Sequence, residues 1–80
     1  MFQNKLNDYM NMLNCSGKEF AQYSGISEAT VSRYKSGTRT PRANSEDMKK
    51  LCRGICTAAN RKGIDGISYK ALLTELNGYA

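Results

Sequence analysis

Apolar side chains recur at helical spacing near the start of the chain. They lie mostly three or four residues apart, at Phe2, Leu6, Tyr9, Met10 and Leu13. This spacing puts them on one face of a helix, so the sequence predicts an amphipathic helix over residues 2–13.

Two short helices are predicted next from their start signals. Ser16 and Glu19 have the spacing of a capping box, which indicates a second helix that runs to about Ser24. Ser27 is a favourable N-cap residue for a third helix over Glu28–Ser36.

The second half of the chain carries two further apolar stripes. Asn44 and Ser45 are expected to cap a fourth helix, and Ser68 is expected to cap a fifth. The stripes consist of Met48, Leu51, Cys52, Ile55 and Cys56, and of Leu72, Leu73 and Leu76. With short connections and no strand signal, we predict an all-α, compact five-helix domain over residues 1–80.

The segment between the second and third helices has the features of a sharp helical turn. Gly25 permits the positive φ that such a turn needs, and Ala21 is small where the two helices would cross. Four larger side chains are expected to hold the pair in place: Phe20, Ile26, Val31 and Tyr34. The arrangement would project the third helix outward, as in a helix-turn-helix over residues 16–37.

Residues 16–42 resemble the helix-turn-helix of the lambda-repressor-like (Cro-type, phage repressor) family. The shared pattern comprises the capped entry at Ser16, Phe20-Ala21, Gly25-Ile26-Ser27, Thr30-Val31-Ser32-Arg33 and Gly37 to Pro41. A chance helical hairpin is the alternative, but cap, stop and charge signals coincide here in the right order. The resemblance implies a five-helix domain that binds double-stranded DNA with its third helix in the major groove.

Two positions depart from the family pattern. Gly17 stands where many members have a glutamine that contacts a phosphate, which leaves only a backbone N–H for that role. Ser24 stands where an apolar residue is common, and we expect it to loosen the turn slightly.

The distribution of charge supports a polyanionic partner. The chain has 12 basic and 7 acidic residues, a net charge of +5. Residues 33–42 contain four of the basic residues and no acidic one. Although a positive net charge equally suits solubility, this clustering favours contact with phosphates.

The exposed leading positions of the third helix are the predicted base-reading residues: Glu28, Ala29, Ser32 and Arg33. The planar guanidinium of Arg33 can donate two hydrogen bonds to the two acceptors of guanine. Glu28 either accepts a hydrogen bond from cytosine N4 or only stabilises the helix dipole. The predicted phosphate contacts are Gly17, Lys18, Ser27, Thr30, Lys35, Arg39, Thr40 and Arg42.

Little in the sequence suggests catalysis or a cofactor. There is no histidine, which removes the commonest general base and metal ligand. Cys15, Cys52 and Cys56 lack paired zinc-site spacing. Cys52 and Cys56 are interpreted as buried thiols, and the alternative is a three-thiolate site with Cys15 beside them. We therefore expect neither an enzyme nor a metal or cofactor.

A transcriptional regulator, specifically a repressor of phage or bacterial type, is the leading interpretation. The alternatives are a protein-interaction or antitoxin-like module that kept the fold, and the DNA-anchoring domain of a larger protein. No membrane-spanning run or secretion signal occurs and the cysteine count is odd, so we expect a cytoplasmic protein.

The last helix is the predicted surface of a possible homodimer. Its apolar positions are more than one buried stripe requires: Tyr69, Leu72, Leu73, Leu76 and Tyr79. The alternative is that these side chains simply pack back onto the first helix.

Overall fold

The computed structural model describes residues 1–80 and contains five α-helices and no strand. They are α1 (Phe2–Met12), α2 (Gly17–Ser24), α3 (Glu28–Ser36), α4 (Glu46–Arg61) and α5 (Tyr69–Asn77). The predicted all-α, five-helix fold is confirmed. None of the helices combines the length and apolar character that crossing a bilayer would need.

Serine side chains fix the starts of four helices. Ser16, Ser27, Ser45 and Ser68 each accept a hydrogen bond from the backbone N–H three residues later, a contact worth about 1 kcal/mol. Asn44, however, does not cap α4; it has a φ of 58° in the preceding turn.

The capping box predicted for α2 is only half formed. The backbone N–H of Glu19 donates to Ser16 Oγ, as expected. The Glu19 carboxylate instead accepts from the Tyr23 hydroxyl at 2.7 Å and pairs with Lys62 Nζ at 3.3 Å. Glu19 thus links the start of α2 to the residue that follows α4, because a charged partner is available there.

The core lies around α4, which packs against both α2 and α5, while α3 packs against α1 and α2. Its 17 buried apolar residues come from every helix. Phe20, Ile26, Val31 and Tyr34 are all among them, as predicted. Every buried side-chain polar atom has a hydrogen-bond partner, so the core beneath α2 and α3 contains no unsatisfied side-chain polar group.

Helices α2 and α4 approach each other closely at Ser24 and Gly54. A Cβ atom added to Gly54 would lie 2.8 Å from Ser24 Cβ and 3.0 Å from its Cα. Ser24 is buried, and its hydroxyl accepts from the Ile26 N–H at 3.2 Å. The expectation that Ser24 loosens the turn is therefore wrong, because its hydroxyl bonds within the turn and its small size admits α4.

The structure corrects the predicted dimer surface on α5. Leu72 and Leu76 are 3% and 0% exposed and belong to the core, so they cannot meet a second copy. Tyr69 and Leu73 are partly buried, and only Tyr79, at 40% exposure, is largely open. The two leucines do pack within the domain, but α5 lies mainly against α4 rather than against the first helix, which the alternative had named.

Candidate DNA-binding surface

The turn between α2 and α3 has the predicted geometry. Gly25 has a φ of 74°, and its N–H donates to the Ala21 carbonyl at 3.0 Å. Ile26 and Val31 on either side of the α3 start are 6% and 0% exposed. Glycine closes α2 in the left-handed region while its apolar neighbours fix where α3 begins.

Helix α3 presents two distinct faces. Val31 and Tyr34 point into the core and are almost fully buried. The four predicted base-reading residues, Glu28, Ala29, Ser32 and Arg33, are all exposed. Their spacing of one and four residues puts them on one side of the helix, away from the core.

A polar groove runs between the start of α2 and the exposed face of α3. It is lined by predicted base-reading and phosphate-contacting residues together, among them Gly17, Lys18, Glu28, Ser32 and Lys35. The Lys35 ammonium lies so close to Gly17 that a Cβ there would be 3.9 Å from Nζ. Positive charge from α3 therefore stands beside the first turn of α2.

A second groove forms where the loop after α3 meets the start of α4. Its walls include Arg39, Thr40 and Arg42 from the loop and Asp47 from α4. The Arg39 guanidinium lies 5.8 Å from the centre of the Tyr34 ring. Pro41 is buried between two exposed residues, which anchors the loop and leaves the side chains on either side in solvent.

Ser27 and Thr30, two of the predicted phosphate contacts, also form the N-terminal cap of α3. Ser27 Oγ accepts from the Thr30 N–H at 3.2 Å and donates to Thr30 Oγ1 at 2.9 Å. The Ser27 proton is thereby used within the cap, while the Thr30 proton stays available for an outside acceptor.

The cations of this surface differ from the other basic side chains in their partners. The three salt bridges join Lys5 to Glu75 at 3.1 Å, Lys62 to Glu19 at 3.3 Å, and Arg53 to Glu46 at 3.6 Å. None of them involves Lys18, Arg33, Lys35, Arg39 or Arg42. The basic side chains around α3 are therefore not engaged in salt bridges within the protein.

One contact behind the surface was not predicted. Asn7 Nδ2 in α1 donates to the Lys35 carbonyl and to the Gln3 carbonyl, both at 2.8 Å. It supplies a partner for a carbonyl in the last turn of α3, where the helix itself offers none. The polar residues of α1 show no sequence pattern that identifies this role.

The cysteines show no metal-binding arrangement. No three side chains of the metal-ligating types come together. Burial, with a smaller contribution from Glu19, raises the pKa of Cys15 to about 11; burial, with a smaller contribution from Cys56, does the same for Cys52. Burial also raises the pKa of Cys56. At neutral pH the thiols are protonated, a poor state for metal binding or nucleophilic attack.

A short helix pair closed by Gly25, with an outward second helix flanked by unpaired cations, defines a helix-turn-helix DNA-binding domain. A comparison with family models agrees: the model described as helix-turn-helix matches residues 6–54. The chain therefore belongs to this family, in its Cro-type, lambda-repressor-like form, whose members are DNA-binding regulators and generally non-enzymatic. Searches of curated proteins and of solved structures found no significant match.

Proposed function

We propose that this protein is a sequence-specific transcriptional repressor of phage or bacterial type, which acts in the cytoplasm by occupying its operator. The observation that carries the proposal is the exposed face of α3, flanked on both sides by cations that form no salt bridge within the protein. A helix can enter the major groove only when such a face stands clear of the protein body.

Base recognition is assigned to the exposed face of α3. Arg33 donates both arms of its guanidinium to guanine O6 and N7, a contact worth about 1–3 kcal/mol of discrimination. Ala29 meets a thymine methyl group, Ser32 donates to or accepts from a base edge, and Glu28 accepts from cytosine N4.

Phosphate contacts come from both grooves. On one side Lys18, Lys35 and the backbone N–H of Gly17 face one strand, and on the other side Arg39, Thr40 and Arg42 face its partner. At the start of α3, the Thr30 hydroxyl donates its free proton to a phosphate, and the exposed Ser27 lies beside the same phosphate. These contacts fix the register of α3 without reading sequence.

The whole of residues 1–80 acts as one DNA-binding domain in this proposal. Although α5 lies beyond the matched residues 6–54, Leu72 and Leu76 are buried in the same core as α4. We further propose that two copies pair on a two-fold symmetric operator through Tyr69 and Leu73 of α5 and through Tyr79, which follows the helix. Sedimentation of the DNA complex as one protein per symmetric site would contradict the pairing.

Duplex binding at several salt concentrations tests the function. Four phosphate-contacting lysines and arginines at about −0.9 each predict a slope of log K against log salt of about −3.6 per copy. Selection from random duplexes should also enrich one short motif. A protein-interaction module without DNA recognition would show weak binding with little salt dependence and no enriched motif, and that result would refute the proposal.

A further inference from the structure

Helix α5 reaches the loop that carries the proposed phosphate contacts. Asn77, its last residue, accepts a hydrogen bond from the Asn44 backbone N–H at Oδ1, over 2.8 Å. Its Nδ2 donates to Asn44 Oδ1, also at 2.8 Å. The two asparagines, 33 positions apart, thus form a reciprocal pair between the end of α5 and the loop.

Asn44 occupies the demanding position of a tight turn. Its φ is 58°, and the Ser45 N–H closes the turn by donating to the Arg42 carbonyl at 3.1 Å. A non-glycine residue rarely adopts this conformation, although asparagine tolerates it better than most. The Asn77 amide holds both the main chain and the side chain of Asn44, so it selects this turn over other conformations.

The turn determines where Arg42 is held. On its N-terminal side the loop is attached by buried Pro41 and by the Arg39 N–H, which donates to the Arg33 carbonyl at 3.3 Å. On its C-terminal side the Asn44 turn lies between Arg42 and the Ser45 cap of α4, whose Oγ accepts from the Met48 N–H at 3.1 Å. Arg42 itself forms no salt bridge, so its position depends on the backbone around it.

We propose that Asn77 is a positioning residue for DNA binding. It holds the turn that follows Arg42 in one conformation in the free protein, so that the turn does not have to become ordered when DNA binds. The inference rests on the proposed DNA-binding function. Pre-ordering a contact loop raises affinity because binding then freezes fewer conformations. In this arrangement α5, outside the matched family region, contributes to affinity without touching DNA.

The test compares Asn77→Ala with a control on the same helix, Thr74→Ala. Thr74 is exposed, and its hydroxyl donates only to the Lys70 carbonyl within α5. Binding is measured by anisotropy with a short labelled duplex of mixed sequence and with the duplex enriched by selection. Circular dichroism and urea unfolding establish that each variant is folded under the binding conditions.

We expect Asn77→Ala to weaken binding to both duplexes about tenfold, because the contact between Arg42 and a phosphate is then lost, and a hydrogen bond between charged groups is worth this much. The salt slope should become shallower by about 1, because one phosphate contact is loosened. Amide exchange at Asn44 should also accelerate in the free protein. Thr74→Ala should leave all three properties unchanged.

A second variant covers the case in which Asn77→Ala disturbs α5. Asn44→Gly keeps the positive φ and the backbone N–H that donates to Asn77, removes the side-chain partner, and adds some backbone freedom to the turn. It should weaken binding less than Asn77→Ala, and the double variant should bind no more weakly than Asn77→Ala alone if the pair acts as one unit.

The outcomes separate this inference from the function on which it rests. If wild-type protein binds with a steep salt dependence and folded Asn77→Ala binds equally well, the positioning role is wrong while the function stands. If wild-type protein binds neither duplex, both are wrong.

Discussion

The hydroxyl of Tyr34 donates a hydrogen bond to the carboxylate of Asp47, 13 residues further along the chain. Tyr34 lies on the buried side of α3 and Asp47 in the first turn of α4, so the bond joins the helix proposed to read bases to the helix that begins after the loop. Burial, followed by the bond to Asp47, raises the pKa of Tyr34 to about 12.

Removing this hydroxyl should cost stability and change the response to alkali. Tyr34→Phe loses a hydrogen bond to a charged group, and we expect the free energy of unfolding to fall by about 1–2 kcal/mol in urea titrations. Because the pKa of Tyr34 is raised on folding, its contribution is complete below the ordinary value of 10.0 and is lost as pH rises through about 12. The variant should lose less stability than wild type over that range. Tyr79→Phe, at an exposed tyrosine, is the matched control, and equal alkaline losses in Tyr34→Phe and wild type would refute the assignment.

Arg33→Ala and Arg39→Ala should weaken DNA binding in different ways. Without the Arg33 fork, one base pair of the selected motif should become degenerate, at a loss of about 1–3 kcal/mol of discrimination. Without Arg39, all duplexes should bind less tightly and the salt slope should become shallower by about 1, with the motif unchanged. Selection from random duplexes with each variant measures the difference. An unchanged motif for Arg33→Ala would reject its base-reading role.

Gly54→Ala should destabilise the protein although alanine favours helices. Helix propensity alone predicts a gain of about 1 kcal/mol for this change. The added Cβ would meet Ser24 Cα at 3.0 Å, however, and overpacking of this kind costs about 1–3 kcal/mol. We therefore expect a net loss in urea unfolding, relieved only in part when Ser24→Gly is combined with Gly54→Ala, because that change removes the 2.8 Å contact with Ser24 Cβ but keeps the one with its Cα. Gly25→Ala should also cost about 1–2 kcal/mol, but from backbone strain, and should show no such coupling. A stabilised Gly54→Ala protein would contradict the close helix contact.

The attachment of α5 to α1 should weaken in acid. Hydrogen bonds from Tyr9 and then from Lys5 lower the pKa of Glu75, so its ionised form is favoured in the folded protein. This contribution is complete above the ordinary value of 4.5 and is lost as pH falls through the lowered folded-state value. Wild-type stability should decline over this acidic range more steeply than that of Glu75→Gln. Thermal unfolding at a series of pH values measures the effect, and parallel pH profiles would contradict it.

Local signals were sufficient to predict the helices and the turn. A serine cap acts over three residues and an apolar stripe over one helix, so Ser16, Ser27 and the α3 bounds could be predicted without tertiary information. Contacts between distant segments could not. Asn7 meets the Lys35 carbonyl across 28 positions, and no periodicity connects the two.

The errors made from sequence have the same cause. The leucines of α5 identify an apolar face, but the pattern alone does not say whether α4 or a second copy covers it. Ser24 looked unfavourable as a single residue, and only the close passage of Gly54 explains its size. The predicted base and phosphate contacts remain predictions, since exposure and free charge are necessary for DNA contact but do not demonstrate it.

The buried face of α3 holds the helix in the core, and its exposed face is free to vary in sequence. Val31 and Tyr34 hold the helix in place, whereas the four side chains on the opposite face contribute nothing to the core. Replacing those four should leave the fold intact, because each surface change of this kind usually alters the free energy of unfolding by no more than about 0.5 kcal/mol. Under the proposed function, new operator preferences are thus accessible by exchanging a few outward residues on an unchanged body.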